Sequence, residues 1–64
     1  MNQSDQERLL ALKVVTDRTS LSRMSVLRAV ERGDFPKPLR LSVQRIAWRE
    51  SDVAAWINSR VEAA

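Results

Sequence analysis

All of the strongest backbone punctuation in this 64-residue chain falls in one place: its single glycine and its only two prolines lie together in Gly33-Asp34-Phe35-Pro36-Lys37-Pro38. A glycine suits the left-handed position just past a helix end. Alternate prolines fix φ and favour a stiff, polyproline-like path. The segment therefore ends a helix near residue 32 and hands the chain to an extended connector, with Phe35 placed as a core plug beneath the helices.

Ahead of this break the periodicity is helical. Residues 1–8 read as a flexible polar tail, and 9–64 as one folded domain. Leu9-Leu10-Ala11-Leu12 is a short extended lead-in. Lys13 to about Arg18 reads as a short helix with Val15 inward, despite three consecutive β-branched residues, Val14-Val15-Thr16. Thr19-Ser20-Leu21-Ser22 is turn chemistry, and Ser22 is placed to cap a second helix running to about Arg32. At 100° per residue Val26, Leu27 and Val30 form the apolar stripe of that helix, with Met24 at its edge. Ser22, Ser25, Arg28, Ala29 and Arg32 cluster opposite, where small side chains and guanidiniums permit close approach to a groove. Arg23 lies over the stripe by angle, but in the first turn its long stem can reach past the helix start. Two helices joined by so tight a turn form a helix-turn-helix.

Beyond the break the period changes to two. Leu39-Arg40-Leu41 and Arg45-Ile46-Ala47-Trp48-Arg49 alternate as half-buried strands do. That alternation places Leu39, Leu41, Ile46 and Trp48 inward and Arg40, Arg45 and Arg49 outward, with Ser42-Val43-Gln44 as hairpin tip. The result is a small basic wing. Ser51 is placed to cap a last helix, Asp52 sits in its first turn, and Val53, Trp56, Ile57 and Val61 form a packing stripe. Periodicity assigns both tryptophans to the core. The expected fold is mainly α with a small β-hairpin: three helices plus a two-stranded wing.

Composition narrows the function. There is no Cys and no His. That excludes disulfides, thiol nucleophiles, imidazole bases and the usual zinc ligands. A chain this short has little room for an enclosed enzyme pocket. Glu50 and Asp52 form a close carboxylate pair at the start of the last helix, and helix-dipole effects explain them. No enzyme activity, cofactor or metal is expected. The polar start Met1-Asn2-Gln3-Ser4-Asp5-Gln6-Glu7 is not a signal peptide, and no apolar run approaches a membrane span, so a cytoplasmic protein is expected.

Charge then points to a partner. Residues 1–17 carry Arg8 and Lys13 against Asp5, Glu7 and Asp17, a net −1. Residues 18–49 carry eight cations against Glu31 and Asp34, a net +6. Residues 50–64 carry Arg60 against Glu50, Asp52 and Glu62, a net −2. A basic centre between mildly acidic ends is the footprint of a nucleic-acid face. Nine of the eleven cations are Arg, whose planar fork suits phosphate oxygens and the guanine edge. The candidate DNA-binding residues are Ser22, Arg23, Ser25 and Arg28 toward the bases, and Arg32 on phosphate. Arg40, Gln44 and Arg45 on the wing would grip backbone or the neighbouring minor groove. Arg49 either joins them or ties its strand to the last helix.

Leu21-Ser22-Arg23, Arg28, the Gly33-Asp34-Phe35-Pro36-Lys37-Pro38 connector, and Ala47-Trp48-Arg49-Glu50-Ser51-Asp52-Val53 with Ala55-Trp56 together resemble the AlpA family. These are small phage and prophage transcriptional regulators with a MerR-like winged helix-turn-helix, related to excisionases. The resemblance runs from about Leu9 to Arg60. It implies a sequence-specific binder of double-stranded DNA, with integrase or RNA polymerase as further partners. Size adds an expectation of its own: a module this small binds weakly alone, so several copies on repeated sites, or a dimer across a palindrome, are expected to associate cooperatively on DNA. An excisionase that bends attachment-site DNA is the alternative within the same resemblance; a protein–protein adaptor is the alternative outside it. Departures from the family pattern are Ser20 and Ser42 where Gly is usual, Leu27 for Tyr, Val14 for an acidic residue and Arg18 for Leu. Ser20 implies a strained or differently shaped turn.

Overall fold

Six short elements make up the computed structural model, which describes residues 7–63, the side chains of 61–63 excepted. They are β1 (Leu9–Leu10), α1 (Leu12–Thr19), α2 (Arg23–Arg32), β2 (Leu39–Arg40), β3 (Ile46–Arg49) and α3 (Glu50–Ala63). The architecture is a winged helix-turn-helix: three helices and a small antiparallel sheet. Residues 1–6 of the expected tail and the Val61 side chain lie outside the described residues. Among the described residues no helix is long and apolar enough to cross a membrane.

Both helices of the first half stop on a left-handed residue. The α1 helix ends at Ser20, at φ 65° and ψ 17°, whose N–H donates to the Thr16 carbonyl at 2.8 Å. Ser20 is the non-glycine residue with positive φ among those described. The strain implied at the turn is thus real: an L-residue occupies a backbone region in which Cβ crowds the following carbonyl. Thr19 fixes the turn further, its Oγ1 donating to the Val15 carbonyl at 2.8 Å and accepting from the Leu21 N–H at 3.3 Å. Ser22 caps α2 as expected, its Oγ accepting the Ser25 N–H at 3.0 Å. Gly33, at φ 84°, closes α2, and the Asp34 N–H donates to the Ala29 carbonyl at 2.8 Å.

The core joins Leu10, Val15, Val26, Ala29, Phe35, Trp48 and Val53, with Leu12, Leu21, Val30, Ile46, Trp56 and Ile57 packed against it. Trp48, Val15, Val26 and Val53 are fully buried, and each valine so buried is worth roughly 1.5–3 kcal/mol. The α2 stripe needs correction. Its buried line is Val26, Ala29 and Val30, whereas Leu27 is half-buried outside the cluster and Met24 is exposed. An angular projection cannot tell which edge of an apolar arc the neighbours will use. Here the connector and α3 close on the Ala29 edge, where a small side chain admits them.

Three aromatic rings hold that connector. Phe35 meets Trp48 edge-on at 6.1 Å between centroids and Trp56 at 4.8 Å, each pair worth about 0.5–1.5 kcal/mol beyond area burial. The Trp48 indole N–H donates to the Pro36 carbonyl and the Trp56 N–H to the Asp34 carbonyl, both at 2.7 Å. The two indoles therefore staple the connector at Asp34 and Pro36.

The sheet has the order β1-β3-β2, so the lead-in strand β1 extends the expected two-stranded wing to three strands. Its register overturns part of the expected alternation. Arg40 pairs with Ile46 and Leu39 with Ala47, and directly opposed residues in an antiparallel pair share a face. Leu39 therefore lies on the Ala47 side and Arg40 on the Ile46 side. Leu41 is 51% exposed, and neither Leu39 nor Leu41 joins the core. Ala47, in the central strand, is buried beside Trp48 although their side chains point to opposite faces. The loop of residues 41–45 has odd length, and one residue of register exchanges the faces of a whole strand.

No residue separates β3 from α3, so Ser51 lies inside the helix rather than at its cap. The capping oxygen comes from the other end of the sequence. Glu7 accepts the Ser51 N–H at 3.0 Å and the Ser51 hydroxyl at 3.1 Å, while the Glu50 N–H donates to the Arg8 carbonyl at 2.9 Å. Arg18, on α1, pairs with Glu50 at 2.6 Å and ties the first helix to the start of the last.

Candidate nucleic-acid interface

The α2 helix presents its N-terminal half through the tight turn that Ser20 makes possible. Arg23, Ser25 and Arg28 are all exposed on it. Neither Arg23 nor Arg28 takes part in an ion pair among the described residues, so each can meet an acceptor without first giving one up. The two serines divide their work. Ser22 Oγ accepts the cap bond and donates its own proton to Ser25 Oγ at 2.9 Å. Ser22 is thus occupied by the helix start, while the Ser25 hydroxyl keeps a proton to offer outward.

Arg32 stands one turn further on, with Nε on the Asp34 carboxylate at 2.9 Å. Both side chains are more than half exposed, and such surface pairs are worth at most about 1 kcal/mol. This pair aims the guanidinium more than it immobilises it.

The wing is pinned from within. The Leu41 and Ser42 N–H groups both donate to the Arg45 carbonyl, at 2.9 and 3.3 Å, and the Arg45 N–H donates to the Ser42 carbonyl at 3.4 Å. Arg40 donates from Nη1 to the Val43 carbonyl at 3.1 Å. Arg40 therefore braces the hairpin tip, consistent with its place on the Ile46 side. Gln44 and Arg45 are exposed at and beside the tip, and neither Arg45 nor Arg49 is in an ion pair among the described residues. Val43, preceding Gln44 at the tip, is 86% exposed.

Sequence reasoning did not single out one cluster. Arg60 was grouped with the acidic C-terminal segment, yet its guanidinium stacks 4.6 Å above the Trp56 ring and reaches the Asp34 carbonyl at 3.3 Å. Asp34 thus meets Arg32 through its carboxylate and Arg60 through its carbonyl. The four-residue spacing of Trp56 and Arg60 on one helix face was a legible signal; their approach to Asp34 was not.

Comparison with known proteins gives the family. The family model described as prophage CP4-57 regulatory protein (AlpA) matches residues 8–61. The uncharacterized protein ORF88 of Enterobacteria phage P4 is similar as well, 34% identical over 56 residues and covering 88% of this chain. The chain spans 64% of the length of that relative.

Proposed function

The chain belongs to the AlpA family of prophage regulatory proteins, and on that premise we propose that it regulates transcription by binding double-stranded DNA sequence-specifically. The observation that carries the proposal is the exposed pair Arg23 and Arg28 on α2, outside ion pairs among the described residues and beside a wing bearing Arg45. The α2 helix enters the major groove with its N-terminal half nearest the bases. Arg23, Ser25 and Arg28 meet base edges or adjacent phosphates, Ser22 holds the helix start against the groove, and Arg32 holds phosphate. Gln44 and Arg45 grip backbone or minor groove, with Arg40 keeping the tip in shape.

Size sets the mode of action. One module of this kind covers roughly 600–1,000 Å² of its own surface on DNA. With about four to six phosphate contacts, a loss of ~0.9 in log K per contact per decade of salt leaves solitary binding weak. Several copies therefore act together, on direct repeats in preference to a palindrome. Tight binding of one monomer to a single short site would refute that part.

The test is selection of genome fragments by the purified protein at near-physiological salt, in parallel with Arg28→Ala. A short repeated motif, lost in the variant, supports recognition through α2. Recovery of random DNA, or of none, overturns the proposal. A motif beside a promoter fits a transcriptional regulator; a motif at an attachment site redirects the reading to excision.

A further inference from the structure

An open groove runs between α2 and α3. Its volume is about 410 Å³, and its lining includes Ser25, Ala29, Arg32, Asp34, Trp56 and Arg60. Two guanidiniums enter it from different elements, Arg32 from α2 and Arg60 from α3, and they meet around one residue, Asp34. We propose that this groove clamps a phosphate of the DNA backbone, with Arg60 and Arg32 as its two arms and the Ser25 hydroxyl as a third donor. The inference rests on the DNA-binding reading above and adds to it a contact from α3, an element that reading leaves unused.

Four observations favour a phosphate as occupant. The charged side chains balance to +1, two guanidiniums against one carboxylate, so the groove is complementary to an anion. Arg60 is held in advance: its guanidinium lies on the Trp56 ring and one N–H is spent on the Asp34 carbonyl. The remaining donors of its planar fork suit a tetrahedral anion bidentately, and less side-chain freedom is lost on binding. Trp56 is itself fixed by its bond to the same carbonyl. Finally, the groove is continuous with the α2 face proposed to meet DNA, since Ser25 and Arg32 belong to both. Asp34 is the competitor: its carboxylate occupies the Arg32 Nε that a phosphate oxygen would take.

The test measures affinity for a duplex carrying the selected motif, and for an unrelated duplex, across a salt series. Wild type, Arg60→Gln and Asp34→Asn are compared, each below its thermal midpoint measured alongside. Gln in place of Arg60 retains a donor for the Asp34 carbonyl but removes the charge. It is expected to weaken binding to both duplexes about three- to tenfold and to lower the salt slope by about 0.9, with the selected motif unchanged. Asp34→Asn removes the competitor and is expected to tighten both complexes about two- to threefold. If Arg60 serves stability alone, its variant melts earlier and the salt slope stays at the wild-type value, which overturns the inference while leaving the DNA-binding reading intact. Wild-type protein without salt-dependent duplex binding overturns both.

Discussion

Ser20→Gly is expected to stabilise the protein, and the size of the effect follows from the turn itself. Ser20 sits at φ 65° with its N–H on the Thr16 carbonyl, a geometry that glycine adopts freely and an L-residue only at about 1–2 kcal/mol. The side chain is exposed, so no packing is lost with it. Against the relief stands the greater freedom of glycine in the unfolded chain, about 0.4–1 kcal/mol. The difference leaves roughly 0.5–1 kcal/mol in favour of the variant. For a domain of this size that corresponds to a rise of about 2–8 °C in thermal midpoint. The reverse experiment exists in the same molecule. Gly33 has φ 84° and open space where a Cβ would stand, so Gly33→Ala exchanges the signs of the same two terms. It should lose about 0.5–1 kcal/mol. Urea unfolding followed by circular dichroism reads both, with the denaturant dependence checked to be unchanged. A Ser20→Gly variant no more stable than wild type would refute the assignment of strain to that turn.

Two further substitutions probe the staples. Trp48→Phe removes ring volume from a fully buried site together with the 2.7 Å bond to the Pro36 carbonyl, and should cost about 2–4 kcal/mol in urea unfolding; a loss under about 1 kcal/mol would mean the connector is not held by the indole. Glu7→Ala deletes both bonds to Ser51, with an expected loss of about 0.5–1.5 kcal/mol. Hydrogen exchange gives the sharper reading there: the Ser51 amide should lose protection in the variant, and an unchanged rate would show that Glu7 is not its partner.

The features legible in the sequence are those decided within a few residues. Ser22 as cap, Gly33 as stop and the Pro36–Pro38 connector each depend on local backbone chemistry, and each stands where the residues indicate; the strained or differently shaped turn at Ser20 was implied by the family resemblance, and the positive φ there answers it. Phe35 and Trp48 entered the core for a similarly simple reason: large apolar groups in a small domain have one place to go. The exposure of Arg23, Arg28 and Arg45 was legible too, since an ionised guanidinium is held near water wherever it has no buried partner.

Tertiary structure decided the rest. Alternation within β2 and β3 fixes two faces for each strand but not which faces match. The odd loop 41–45 resolved that, sending Leu39 to the Ala47 side and Arg40 to brace the Val43 carbonyl. Helical angles put Leu27 in the α2 stripe and Ala29 on the opposite face, and packing reversed the two: Ala29 joins the core beside Trp56 and the connector, while Leu27 stays half-buried outside it. The cap of α3 comes from Glu7, far away in sequence, because β1 runs beside β3 and carries that carboxylate to the helix start. Arg60 meets Arg32 around Asp34 only once α3 has folded back over the end of α2. Short-range backbone preferences are written residue by residue; the pairing of distant surfaces is chosen by the packing of the whole chain.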